Sequence, residues 1–232
     1  MRRYIYFVFL LCCAVNLLLT SCVRQKYVVM DMVHHNPGEA MTESKFLDPS
    51  FLKKNEYGAK VFFLFEAAQF GIDWKSFDPS LFPDTTEAGR WVAEKAEIIH
   101  KKYDAAKKED LQVYCMLDML VLPSLLVEKH RTELTNEQGK LDISKPYTQL
   151  CIRELMKEMF ETFPQLDGLV IRTGETYLHD APYYVGNHPV QNGMYDHITL
   201  INLLREEVCE RRNKKLFYRT WDMGQLLSRI HI

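Results

Sequence analysis

Glu175 stands three positions after Arg172, where the apolar run Gly168-Leu169-Val170-Ile171 ends, and a segment rich in Tyr, His and Pro follows it. An acid at the end of a buried strand can project into a cleft. Other polar and aromatic residues stand just past other apolar runs: His35, Glu66, Asp118, Trp221 and Asp222, with Tyr177 and His179 in the segment after Glu175. Carboxylates interleaved with Trp and Tyr suit sugars, because ring faces stack on aromatics while hydroxyls bond to acids. Cleaving a glycosidic bond requires two positioned carboxyl groups. Arg172 is a candidate contact for a sugar carboxylate or hydroxyl, with structural pairing as its alternative, and Trp221 is a candidate stacking platform. Asp118, Glu66, His35, Tyr177, His179 and Asp222 complete the candidate substrate-binding set, although Asp118 equally suits a role in steadying the mouth of the site.

The elements that must position these residues alternate. Five near-continuous hydrophobic runs, at 27–33, 59–70, 111–120, 167–173 and 215–222, read as strands covered on both faces. Helical patterns separate them. The segment from Pro83 has Asp84 as its expected cap and Ala88, Val92, Ala96, Ile99 and Tyr103 on one face. The segment from Ser144 has that serine as its expected cap, Pro146 in the first turn, and a stripe of Ile152, Leu155, Met156, Met159 and Phe163. A third has Met194, Ile198, Ile201, Leu204 and Val208 as its expected stripe. Trp91 reads as packing. Strand, helix, strand at this spacing implies right-handed parallel crossovers. With no GxGxxG or P-loop pattern after the first run, a (β/α) barrel fits better than a doubly wound sheet, since barrel enzymes carry their sites just past the strand ends. Only about five of the eight strand–helix units of a (β/α)8 barrel are present, which suggests a C-terminally truncated chain with an open sheet edge. The long segment 176–193 reads as an ordered binding lid carrying Tyr177, Tyr183 and Tyr184.

The chain has 232 residues, 47% of them hydrophobic, and a formal net charge of −2, so no nucleic-acid partner is expected. Beyond the N-terminal region, Cys115, Cys151 and Cys209 are odd in number and lack ligand spacing, which argues for free buried thiols and against a disulfide framework or a zinc site. His34 and His35 are adjacent and point to opposite faces of a strand, so no metal and no cofactor is expected. His179, Asp180 and His188 leave a metal as a weaker alternative. The first 22 residues have a basic start, an apolar centre and small residues before a cysteine, and they read as a targeting segment rather than part of the fold. The domain is then residues 23–232.

Two resemblances follow. Leu19-Thr20-Ser21-Cys22 resembles the bacterial lipobox, which implies lipidation at Cys22 and a domain tethered to a membrane in the bacterial cell envelope; an ordinary signal peptide or a membrane helix is the alternative. "LDGLVIRTGE" (166–175) resembles the fourth-strand segment of barrel glycoside hydrolases of the β-N-acetylhexosaminidase-like and α-glucuronidase-like kinds. "YVVMDMVHH" (27–35) and "VYCMLDMLVLP" (113–123) are similar to the first and third strands of hexosaminidases. The resemblance implies that Glu175 is the general acid/base, which protonates the leaving oxygen and needs partial burial to hold that proton. The chain departs from the hexosaminidase pattern in having Gly174 before Glu175 and no Pro–Glu in the third run. A lipid-anchored glycoside hydrolase with a carbohydrate substrate, complete in its parent form, is the first reading. A non-catalytic carbohydrate-binding lipoprotein is the second, and a metal-dependent hydrolase is a third.

Overall fold

A computed structural model of the chain describes residues 30–31, 44–63, 66–173, 176, 178 and 181–219. Five strands form a parallel sheet: β1 (Met30–Asp31), β2 (Ala59–Phe62), β3 (Gln112–Asp118), β5 (Gly168–Arg172) and β7 (Lys215–Arg219), in that spatial order. Two more, β4 (Val121–Pro123) and β6 (Tyr184–Gly186), pair antiparallel in a small separate sheet. The helices are α1 (Pro49–Lys54), α2 (Glu87–Lys108), α3 (Ser124–Lys129), α4 (Arg131–Leu134), α5 (Pro146–Thr162) and α6 (Met194–Leu204), the last continuing as a π-helical turn over Arg205–Glu210. The fold is therefore mixed α/β around a parallel sheet.

The parallel strands follow one another across the sheet without reversal, and repeated right-handed crossovers then put every crossover helix on the same side. The packing agrees. Phe62, Val113, Cys115, Leu117, Leu169 and Ile171 on one face of the strands share a core with Val92, Ile99 and Tyr103 of α2, Ile152, Leu155 and Met159 of α5, and Leu200 and Leu204 of α6. A doubly wound sheet, by contrast, reverses its strand order. Among the described residues the main sheet has five strands.

The other face is laid down in layers by the strand register. Tyr114, Gly168 and Lys215 lie level; Met116, Val170 and Phe217 come next; Asp118, Arg172 and Arg219 come last, at the C-terminal ends. Gly168 is required where it stands, because a Cβ there would lie 2.1 Å from the carbonyl oxygen of Lys215 on the neighbouring strand.

Helix boundaries depart from expectation where capping chemistry has competitors. The cap of α2 is Thr86, not Asp84: Thr86 Oγ1 accepts from the Gly89 N–H at 3.0 Å, while the Asp84 carboxylate pairs with Lys75 at 3.1 Å. Ser144 does not cap α5. Its hydroxyl donates to Asp142 at 2.7 Å, and the helix starts at Pro146, whose missing N–H removes one unsatisfied donor. The expected α5 stripe, Ile152, Leu155, Met156, Met159 and Phe163, is buried throughout. The expected α6 stripe is not: Met194 and Ile198 are 39% and 47% exposed. Its buried face instead carries Asp196, His197, Leu200, Leu203 and Leu204, because two polar groups have inward partners. Asp196 caps the chain ahead of the helix by accepting from the Gln191 and Asn192 N–H groups, and His197 meets the Tyr218 hydroxyl at 2.9 Å. Cys115 and Cys151 are buried free thiols and Cys209 is a partly buried one. Burial pushes both buried thiols up to about 12, so they stay protonated. No helix among the described residues is long and apolar enough to cross a membrane.

Candidate functional site

Asp118 ends β3 and Arg172 ends β5, and they are register partners on adjacent strands. The guanidinium grips the carboxylate with two parallel bonds, Nε to Oδ1 and Nη2 to Oδ2, the second at 2.6 Å. The residues are only 8% and 5% exposed, so an ion pair sits on top of the apolar layers Met116/Val170 and Tyr114/Gly168. Such a pair survives burial only with two-point geometry of this sort, since desolvating either charge alone is costly.

The loop after β2 closes over this pair. It runs through the short 3₁₀ helix Ala68–Gly71 and is tied down at two points. Cys115 Sγ on β3 accepts the Ala68 N–H at 3.2 Å, and buried Glu158 of α5 accepts both the Ser76 N–H and its hydroxyl, at 3.1 and 2.7 Å. Between the anchors Trp74 is fully buried with φ at +58°, a left-handed conformation that a bulky side chain adopts only when its surroundings force it. Leu120, between β3 and β4, is similarly held at φ +57°. Glu56, Asp110 and Asn213, just ahead of β2, β3 and β7, also have positive φ, so such backbone occurs at both ends of the strands.

Two cavities open there. The first is a narrow pocket lined by Phe63, Gln69, Phe70, Met116, Asp118 and Arg172, with about 10 Å³ of room for the centre of a water-sized sphere. That volume takes a single oxygen atom and its hydrogens. The second is a wider groove of about 360 Å³, lined by Phe82, Pro83, Pro123, Leu125, Pro182 and Tyr183, with Ser124 and Glu128 among its polar members. Tyr184 forms part of the wall between them, its ring 5.1 Å from Phe70 on one side and 5.6 Å from Phe82 on the other.

Of the residues expected at the site, the structure brings Asp118 and Arg172 together and takes Glu66 elsewhere. The Glu66 carboxylate pairs with Lys102 of α2, and its carbonyl accepts the Tyr103 hydroxyl at 2.9 Å, so the residue faces the helix layer. Segment 176–193, expected to be an ordered binding lid, contains β6, which pairs with β4. Tyr184, expected in that lid, is a core ring, and burial drives its hydroxyl far above the usual tyrosine range. Tyr183 lines the groove, and Trp91 packs against Phe70, Tyr183 and Tyr184 as expected. Glu175, Tyr177, His179, Trp221, Asp222, His35, Cys22 and the rest of the N-terminal segment 1–22 lie outside the described residues. Among the described residues no group of three or more His, Cys, Asp or Glu is placed to hold a metal ion. Gln69, at the end of the 59–70 run and three residues after Glu66, lines the narrow pocket.

No family model and no curated protein matches the chain. Solved structures do. A maltogenic alpha-amylase from Thermotoga neapolitana is 14% identical, with a TM-score of 0.45, over 84% of this chain and 46% of its own. The galactosidase domain of an alpha-galactosidase–sucrose kinase is 14% identical, with a TM-score of 0.42, over 75% of this chain and 23% of its own. An enzyme targeting pectin rhamnogalacturonan II is also 14% identical, with a TM-score of 0.35, over 64% of this chain and 18% of its own. The chain spans less than half the length of each.

Proposed function

We propose that this chain is a carbohydrate-active protein of the glycoside hydrolase kind, built on part of a (β/α) barrel. Its sugar site lies where the parallel strands end. The observation that carries the reading is the charged layer at that rim: a two-point Asp118–Arg172 pair above apolar layers, beside a one-oxygen pocket and an aromatic groove. Polar groups that cap an apolar strand bundle and line a cavity suit a ligand that presents both hydroxyls and C–H faces. In this reading Glu175, three residues past the end of β5, gives its proton to the glycosidic oxygen as the bond to the anomeric carbon breaks. Cys22 carries a lipid that tethers the domain in the bacterial envelope.

One observation favours a second reading. A hydrolase needs a second carboxyl group, and Asp118 is engaged at both oxygens by Arg172, which suits holding a ligand better than attacking one. On that reading the protein binds carbohydrate without cleaving it. Turnover of a panel of aryl glycosides by the wild-type chain and by Glu175→Gln separates the two. Hydrolysis lost in a folded Glu175→Gln supports the enzyme, and hydrolysis retained overturns the role of Glu175. Binding of sugars with no turnover by either protein supports the binding protein. Neither binding nor turnover overturns the carbohydrate reading.

A further inference from the structure

The wider groove is built largely from residues that present carbon and few hydrogen-bond donors. Three of its lining residues are prolines, Pro83, Pro123 and Pro182, which have no N–H to offer, and Phe82, Leu125 and Tyr183 add apolar surface. Its walls are fixed. The Ser124 N–H donates to the Tyr183 carbonyl at 2.8 Å, Phe82 stacks on Tyr184 at 5.6 Å, and Tyr183 meets Trp91 edge-on at 5.7 Å. Gly89 lets the start of α2 close on Pro83, since a Cβ there would lie 2.1 Å from the Pro83 carbonyl oxygen. The side-chain donors nearby are mostly engaged. The Ser80 hydroxyl donates to Asp78 at 2.6 Å and the Thr86 hydroxyl to the Pro83 carbonyl at 2.7 Å. No Lys, Arg or His is among the lining residues. Two cations close by in sequence have acceptors of their own, Lys129 in Asp78 at 2.8 Å and Arg90 in the Thr85 carbonyl at 3.0 Å.

Glu128 is the charged member of the lining. It stands one turn after Ser124 and Leu125 on α3, is exposed, and has no ion pair or hydrogen bond among the described residues. A second acid is near. Desolvation, and after it the Glu87 carboxylate, raise the Tyr183 hydroxyl above its ordinary 10, against a smaller pull from Arg90, so this tyrosine adds no cation-repelling or anion-holding charge of its own. We propose that the groove binds a small organic cation, an ammonium group on an apolar or aromatic body, with the ammonium at Glu128 and the body against the prolines, Phe82 and Leu125. This site goes beyond the carbohydrate reading and does not depend on it. A volume of about 360 Å³ suits a ligand of one ring and a short chain. A neutral body gains the apolar wall alone. An anion meets the Glu128 carboxylate with no cation in the lining to offset it. An ammonium gains both wall and charge, and its N–H donors match a carboxylate that only accepts.

The test uses three probes of one shape, phenethylammonium, phenethyl alcohol and phenylacetate, read by ligand-observed NMR and calorimetry at low salt. The wild-type chain is compared with Glu128→Gln and Leu125→Ser, both at exposed positions, with thermal unfolding to check that each variant folds. The expected result is that the wild type binds phenethylammonium about three- to fivefold tighter than phenethyl alcohol, and phenylacetate most weakly. Glu128→Gln should bind ammonium and alcohol equally, and Leu125→Ser should weaken both by the same factor. Wild-type affinity for phenethylammonium retained in Glu128→Gln overturns the role of Glu128. Equal or tighter binding of the alcohol or of phenylacetate by the wild type overturns the cationic class. Binding of none of the three, or binding that Leu125→Ser leaves unchanged, overturns the site. Should Glu128→Gln not fold, Glu128→Ser removes the same charge and is read by the same criteria. None of these readouts involves a sugar, so failure of the carbohydrate reading leaves them as they stand.

Discussion

The two faces of the parallel sheet use the same strands for different ends. The helix side is mostly apolar: Phe62, Val113, Cys115, Leu117, Leu169 and Ile171 meet α2, α5 and α6, and its charged member is buried Lys60 at the base of β2, level with Val113, which donates to the Phe46 carbonyl at 2.7 Å. The opposite side begins the same way, with Ala59, Val61, Tyr114, Met116 and Val170 buried together, and then turns charged in its last layer at Asp118 and Arg172. Period-two alternation makes this possible, because each strand shows one set of residues to the helices and another to the interior. Stability is concentrated on the first face. The polar layer of the second contributes little net stability, since a buried ion pair is worth no more than well-packed apolar groups. A costly arrangement at the tips of the strands is one that function has to justify.

Breaking the charged layer should have the largest effect. Arg172→Met leaves the Asp118 carboxylate buried without its guanidinium, at an expected cost of about 3–5 kcal/mol in chemical unfolding. The double variant Asp118→Leu/Arg172→Met should recover most of that loss, and a double variant no more stable than Arg172→Met would show that the pair is needed for folding itself. A smaller loss tests the geometry beneath it. Gly168→Ala forces a methyl against the Lys215 carbonyl and should cost roughly 1–3 kcal/mol while loosening β5 from β7; wild-type stability would mean that the two strands lie farther apart than described.

The smallest effect is a pH dependence on the helix side. Burial, with His188 nearby, holds His197 below its ordinary 6.5, against a smaller opposing pull from Asp196. The unfolded chain therefore takes up this proton first as pH falls. The stability associated with neutral His197 is complete above 6.5 and is lost as pH drops from there towards the lower folded value. His197→Gln should flatten the stability profile in that window, and an unchanged slope would assign the effect to other groups.

Much of the frame was legible in the order of residues. β3 and β5, covered on both faces, are apolar at nearly every position, whereas β7, expected to be covered likewise, leaves Lys215 and Phe217 exposed. All four long strands still fall inside the apolar runs at 59–70, 111–120, 167–173 and 215–222. The first of these, though, ends at Phe62 and gives way to the loop that carries Gln69. The α5 stripe was readable for a similar reason, with helical spacing and no polar group competing for the buried face. On α6 the same reading failed, since Asp196 and His197 turn inward to partners that spacing along one helix does not reveal.

The sequence by itself determined that strands alternate with helices, and that acids and aromatics gather just past the strand ends. Those are local properties of period and neighbourhood. Only the tertiary structure decided that Asp118 and Arg172, 54 residues apart, grip one another. It also decided that Glu66 belongs to Lys102 and that Tyr184 is core. Each of these depends on which strands lie side by side and which loop folds over them. The order of residues carries that information only through the energy of the whole fold.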